Sequence, residues 1–326
     1  MRAAIGIGCV LAMALVDSAP VRGSRERASG LVAPAEIGSA LGTTVECPPS
    51  ASMRPVMTHR YKMSGSVRPL LFWIGKDDIG IARIVWRRGD GAAIGYEFLV
   101  GTDPAKAPRS LNRWGYIAED IEGADGSILA LMTGADEATY NEAASNSSRP
   151  PGAGDFRAIQ AHVERGAATW QTARVSTPSP LTVRDVDAAL ERIRHETAAA
   201  PSRGMSLPSG ARPGFLTAVA ELIDLAVTGV NRRTDTRELL RPRVQYVFGQ
   251  GAYEIHLREV ESLRTDYDGR LIAAVRTAFE IRTLATDART RFEITSGSDG
   301  DLSGVPVAIS WQPRWWLRVE LSLESK

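Results

Sequence analysis

Two blocks of this 326-residue chain, one from Met57 and one from Val244, are runs of β-rich residues broken by turn signals, with helical segments between them. That order constrains the fold more than any other feature. Met57, His59, Tyr61 and Met63 alternate with Thr58, Arg60, Lys62 and Ser64, a period of two that sends each set to one face of a sheet. Val67 to Ile74 reads as a second strand, Gly75 to Asp78 as a turn, Ile79 to Arg88 as a third strand and Tyr96 to Val100 as a fourth. Asn112 to Glu119 fits a strand or a short helix, and Ser127 to Met132 a strand. Phe156 to Glu164 and Ala168 to Val175 form a hairpin about Arg165-Gly166.

Asp136 to Ala144 reads as a short helix, and Ser145 to Gly154 as a Pro/Gly/Ser loop. A helix starts at Thr182, with Asp185 completing an approximate capping box and Val183, Val186, Leu190 and Ile193 on one face. A more apolar helix is expected from Phe215 to Val227. Strands then resume at Val244–Phe248, Tyr253–Leu263, Leu271–Thr283, Thr290–Thr295, Val305–Ser310 and Trp315–Leu323, separated by turns such as Asp266-Tyr267-Asp268-Gly269. Without regular βαβ alternation, a doubly wound parallel sheet is excluded in favour of a β-rich α+β fold. Twisted antiparallel sheets are expected, forming a sandwich or an open barrel with a few helices. Ala198 to Pro213 is linker-like. A division near 200–213 and a second half that completes the first half's sheet both fit this pattern.

Arg2 followed by uncharged apolar residues from Ala3 to Val16 has the layout of a secretory leader. The run is too short for a spanning helix, which needs about 18 residues. The expected organisation is a signal peptide over 1–23, a disordered tether over 24–55 and a β-rich region over 56–326, with a periplasmic or cell-envelope location. Loss of the leader removes Cys9 and leaves Cys47 alone, so no internal disulfide is expected. A net charge of +1 gives no field for nucleic acid. No hydrolase elbow, zinc helix, phosphate loop or dinucleotide fingerprint occurs, and no motif calls for a metal or other cofactor.

Aromatic and arginine residues gather in three places: Arg68 with Phe72 and Trp73; Arg113 with Trp114 and Tyr116; and Trp311 and Arg314 with Trp315 and Trp316. Tryptophan lines apolar pockets and arginine stacks on it or forks an anion, whereas core packing is the competing explanation. The candidate binding residues are Arg68, Trp73, Arg113, Trp114, Tyr116, Trp315 and Trp316. Two carboxylate doublets, Asp77-Asp78 and Glu119-Asp120, also sit near aromatics. A glycosidase pair would need one member from each.

Arg68-Pro69-Leu70-Leu71-Phe72-Trp73 running into Asp77-Asp78-Ile79-Gly80-Ile81-Ala82-Arg83, together with Gly101-Thr102-Asp103-Pro104 and Asn112-Arg113-Trp114-Gly115-Tyr116, resembles a group of uncharacterised exported bacterial proteins. The resemblance implies export and carries no activity. The first functional reading is a non-catalytic envelope protein holding an apolar or lipid-like ligand in an aromatic-lined groove. The second is an envelope glycan or lipid hydrolase using paired carboxylates. The third is a structural or interaction protein of an envelope complex.

Overall fold

The computed structural model describes residues 53–68, 72–108, 111–133, 156–164, 166–175, 181–182, 185–207, 210–248, 251–314 and 317–325. The expected leader, nearly all of the tether with Cys47, the helix over 136–144 and the loop over 145–154 lie outside these residues. The elements are β1 (Arg54–Val67), β2 (Ile74–Arg88), β3 (Ile94–Thr102), β4 (Trp114–Glu122), β5 (Asp125–Thr133), β6 (Phe156–Glu164), β7 (Ala167–Val175), α1 (Val186–Ala198), β8 (Ser202–Ser206), α2 (Phe215–Asn231), α3 (Thr236–Leu239), β9 (Arg243–Phe248), β10 (Gly251–Tyr267), β11 (Arg270–Thr283), β12 (Arg289–Gly297), β13 (Pro306–Arg314) and β14 (Leu317–Leu323).

All fourteen strands belong to one sheet, in the order β8-β7-β6-β5-β4-β3-β2-β1-β14-β13-β12-β11-β10-β9. Every pairing between these strands is antiparallel. The first and last strands meet in the middle, where Tyr61 pairs with Leu323 and Val67 with Leu317. The second half of the chain therefore completes the first half's sheet. The linker-like stretch supplies β8, which pairs with β7.

The sheet is open, and it curls around α2. This helix packs on β9, β10 and β11 and also on β4, although six strands separate β4 from β11 in the hydrogen-bonded order. Right-handed strand twist makes such curling natural in a wide sheet. Leu216, Ala218, Val219, Ala220, Ile223 and Ala226 of α2 are all buried to 1% exposure or less. They cover most of its circumference, the mark of a helix inside a core rather than on a surface. Phe215 meets Tyr246 and Phe292 there, and Phe279 stacks on Phe292 with centroids 4.7 Å apart.

The amphipathic α1 lies outside the sheet over β6 and β7, burying Val186, Ala189, Leu190 and Ile193. Asp187 reaches Arg83 of β2 at 2.9 Å. β4 is thus covered on both faces, which explains why its residues from Trp114 to Glu119 are all buried.

Two local expectations are corrected. Val67 to Ile74 is not a strand: β1 ends at Val67, β2 begins at Ile74, and the two pair with each other, so the chain reverses between them. Gly75 to Asp78 lies inside β2 instead of forming a turn. The break in alternation there is an irregularity between Met63 and Gly65 of β1, opposite Asp78, whose φ is +54°.

Candidate ligand-binding site

The sequence candidates separate by exposure. Trp114 and Tyr116, two residues apart on β4, face α1 and the segment leading into it. The Trp114 indole donates to the Leu181 carbonyl at 3.1 Å, and Asn112 brackets Leu181 through both its amide nitrogen and its oxygen. Gly101 lies opposite Trp114, where an added Cβ would come within 2.2 Å of the ring. Tyr116 is 3% exposed, near Glu97, Arg87 and Arg194, and burial raises its hydroxyl pKa. The expected groove over these rings is filled by the protein's own α1, so both aromatics are core residues. Arg113 is half-buried beside them. Trp315 and Trp316 lie outside the described residues.

Arg68 and Trp73 flank the reversal between β1 and β2. Phe72 is 62% exposed, Ile74 52% and Val67 43%. Leu111, in the β3–β4 connection, and Leu284, after β11, are also exposed. Antiparallel pairing places all of these at one end of the sheet, where β1–β2, β3–β4, β9–β10, β11–β12 and β13–β14 reverse. Six of the eight large apolar side chains exposed among the described residues gather at this end, the others being Val56 and Leu271. They are not scattered singly, the usual state of exposed apolar residues.

The apolar wall here continues the concave face. Gly65 faces the core residue Ile79, 2.7 Å from where its Cβ would stand, and Val67 follows on the same face. Leu317, opposite Val67, shares its face of β14 with Leu321 and Leu323, which are buried in the core. Val67, Ile74 and Leu317 thus form a lip beyond the point where α2 fills the interior. Arg68 beside it is half-buried, and its Nε has no hydrogen-bond partner among the described residues.

A cavity of about 570 Å³ opens at the opposite end, lined by Met57, Thr58, His59, Arg60, Tyr267 and Leu302 among others. His59 stands edge-on to Trp86, and Tyr267 donates to the Glu324 carbonyl at 3.3 Å. Arg60, Asp301 and Glu324 line this cavity beside the apolar Met57 and Leu302, so its wall mixes charge with hydrocarbon.

The carboxylate doublets do not assemble. Asp78 is exposed and paired with Lys106 at 2.8 Å, the bond that draws its pKa below the usual value. Glu119 is fully buried against the N-terminus of α2. It accepts from the backbone N–H of Leu216 at 2.8 Å, the N–H of Thr217 at 2.9 Å and the Thr217 hydroxyl at 2.9 Å. Burial pushes its carboxyl up, while these donors pull it back. Asp120 is paired with Arg87 at 3.0 Å. Glu119 stands opposite Tyr96, and Tyr96 opposite Trp86. Asp78 therefore lies eight residues along the sheet from Glu119, roughly 26 Å at the usual strand rise. A glycosidase pair needs about 5–10 Å.

Sequence reading missed the role of Glu119. An acidic residue in a strand gives no local sign that a helix about a hundred residues later will begin on it.

These features define an open, barrel-like antiparallel sheet, plugged by its own helix and carrying an apolar lip at one end. No protein-family model matches the chain, and no curated protein matches it. A crystal structure described as a beta-barrel-like protein of domain of unknown function DUF1849, from Brucella abortus, is similar over 82% of this chain and 96% of its own. The identity is 8% and the TM-score 0.36. No residue is carried across from it. No helix among the described residues is long and apolar enough to cross a membrane.

Proposed function

We propose that this is an exported cell-envelope protein that binds an apolar or lipid-like ligand at the lip formed by β1, β2 and β14. The observation that carries this reading is the clustering of exposed apolar side chains at one end, on a surface that prolongs the concave wall. Val67, Phe72, Trp73 and Ile74 supply contact area, and the partly buried guanidinium of Arg68 supplies one polar anchor. A lip on paired strands is held by the sheet before any ligand arrives, so little ordering entropy is spent on binding. Export rests on the leader-like first two dozen residues and on the resemblance to exported proteins.

Trp73→Ala removes a side chain that the core does not use. It should leave stability within about 0.5 kcal/mol of the parent and weaken binding of a fluorescent fatty acid or alkyl amine by about 10-fold or more, the equivalent of burying most of one aromatic. Trp114→Ala should do the reverse, costing about 3–5 kcal/mol of stability. Equal apolar-probe binding by the parent and a Phe72→Ser/Trp73→Ser variant would overturn the reading.

A further inference from the structure

On the outer face of β9–β12, the two residue rows nearest the lip carry a lattice of arginines that outnumber their carboxylates, while Glu259 and Glu293 lie on the same face one row farther from that end. Glu280, its side chain 6% exposed, receives Arg258 at 3.0 Å, Arg291 at 2.9 Å and Arg289 at 3.3 Å. Glu254 is shared by Arg243 at 3.3 Å and Arg282 at 3.5 Å. Asp287 is shared by Arg282 at 3.7 Å and Arg289 at 3.5 Å. Five arginines thus meet three carboxylates. Arg282 and Arg289 stand directly opposite each other across β11–β12, a like-charge pairing that sheets ordinarily avoid. Arg258 is the extra residue of a bulge between Leu257 and Glu259, which lets it share Glu280. His256 lies 4.0 Å from Glu280, its pKa lowered by burial and by Arg243, so it adds little positive charge.

Stability alone does not account for this arrangement. Arg258, Arg289 and Arg291 remain 44%, 51% and 63% exposed. Arg258 and Arg291 each spend one edge of the guanidinium on Glu280, whereas Arg289 is divided between Glu280 and Asp287. Guanidinium forks fixed in this way fit phosphate oxygens.

The lattice also lies at the end of the sheet that carries the apolar lip. Arg289 opens β12 and Arg282 nearly closes β11, with exposed Leu284 between them in the chain. β12 is three strands from β1, roughly 14 Å at the usual strand spacing. Apolar side chains at a rim, backed by arginines on the outer wall, match an acyl layer beneath a layer of anionic headgroups.

We infer that this end of the barrel docks on a phosphate-bearing anionic lipid surface. The apolar hairpin tip of Phe72 and Trp73 enters the interface while Arg258, Arg282, Arg289 and Arg291 engage headgroup phosphates. The inference rests on the reading that the lip takes up apolar groups, and it adds the class of partner.

The test is cosedimentation of the full chain, expressed with its own leader and purified as the host leaves it. The vesicles are phosphatidylcholine alone or phosphatidylcholine mixed with phosphatidylglycerol. The parent should pellet with the mixed vesicles, release with added salt and bind the neutral vesicles weakly. Arg289→Gln/Arg291→Gln should lose about 30-fold in affinity for the mixed vesicles, about fivefold for each charge near the surface. Glu280→Gln keeps every arginine and removes the carboxylate that occupies them. It should bind the mixed vesicles more tightly although it melts lower, an outcome that a purely structural lattice does not produce.

Binding indifferent to phosphatidylglycerol, or unchanged in both variants, with fatty-acid binding intact, would overturn the inference and leave the lip reading standing. Charge-dependent vesicle binding that Phe72→Ser/Trp73→Ser leaves untouched, with fatty-acid binding equally untouched, would overturn the lip reading and with it the insertion of the tip. Glycerol phosphate in solution competing as well as vesicles would replace the docking surface with an isolated phosphate site, and so overturn it.

Discussion

Replacing Glu119 by alanine tests how the curled sheet is held. This carboxylate ties β4 to the first turn of α2, across about a hundred residues of sequence. It satisfies two N–H groups that every helix N-terminus leaves without an intrahelical partner. No side chain at the N-cap could replace it, since that position is Gly214. Alanine would orphan the N–H groups of Leu216 and Thr217 in a site closed to water, whereas the Thr217 hydroxyl can turn elsewhere. An unpaired buried donor costs about 1–3 kcal/mol, so the two together cost about 2–6 kcal/mol. Removing a buried carboxyl returns part of its desolvation cost, and the small cavity left behind takes some of that away. The expected net loss is about 4 kcal/mol, which for a fold of this size lowers Tm by about 8–16 °C. Glutamine should fall between parent and alanine, because its oxygen can keep the two Thr217 bonds while its amide meets the Leu216 N–H donor to donor. Thermal melts followed by far-UV circular dichroism and by tryptophan fluorescence measure both variants, and the two probes should coincide. An alanine variant melting within about 2 °C of the parent would refute the claim that this contact holds the helix in the sheet.

Gly214→Ala should be destabilising by about 1–3 kcal/mol through overpacking, because the new methyl would stand 2.3 Å from the Glu119 carboxyl carbon; urea titration measures it, and a neutral result would mean that the helix start shifts freely. The acid limb of stability tests Glu280. Burial raises its pKa, but the Arg291 hydrogen bond and the charges of Arg291, Arg258 and Arg289 outweigh burial and hold it below the usual glutamate value. A depressed folded pKa stabilises above the unfolded value, and that contribution is lost as pH falls through the folded one. Stability of the parent should therefore drop as pH falls below about 4.5, and Glu280→Gln should show a shallower drop from a lower starting point. Parallel acid limbs in the two proteins would show that the lattice does not shift Glu280.

Much of the sheet was legible because each element announces itself locally. The hairpin of β6 and β7 matches the strand–Arg165-Gly166–strand pattern, with Gly166 at a φ of +80°. The β10–β11 reversal uses Asp268 and Gly269, both at positive φ, as an aspartate–glycine hairpin turn requires. The excess of apolar residues in α2 was visible as well, and it corresponds to a helix buried on nearly every side. The β1–β2 reversal was harder to see, because Leu70, Leu71, Phe72 and Trp73 have strand propensity and no glycine interrupts them. Exposed apolar side chains at a reversal run against the usual rule that connections are polar.

The aromatics show where local reading stops. Arg68-Trp73 and Arg113-Trp114-Tyr116 are equivalent clusters by composition, yet the first stands at an open rim and the second lies beneath α1. What decides between them is whether another element covers the strand face, and that depends on contacts with residues near 181–198, some 70 positions downstream of β4. Periodicity and turn chemistry act over a few residues, so the sequence by itself determined strands, helices and an antiparallel fold. The meeting of β1 with β14, the seat of α2 on Glu119, the closing of one aromatic face and the gathering of apolar side chains and arginines at one end come from pairings across 70 to 260 residues. Those were decided only when the sheet curled, because curling sets which faces are buried and which remain exposed.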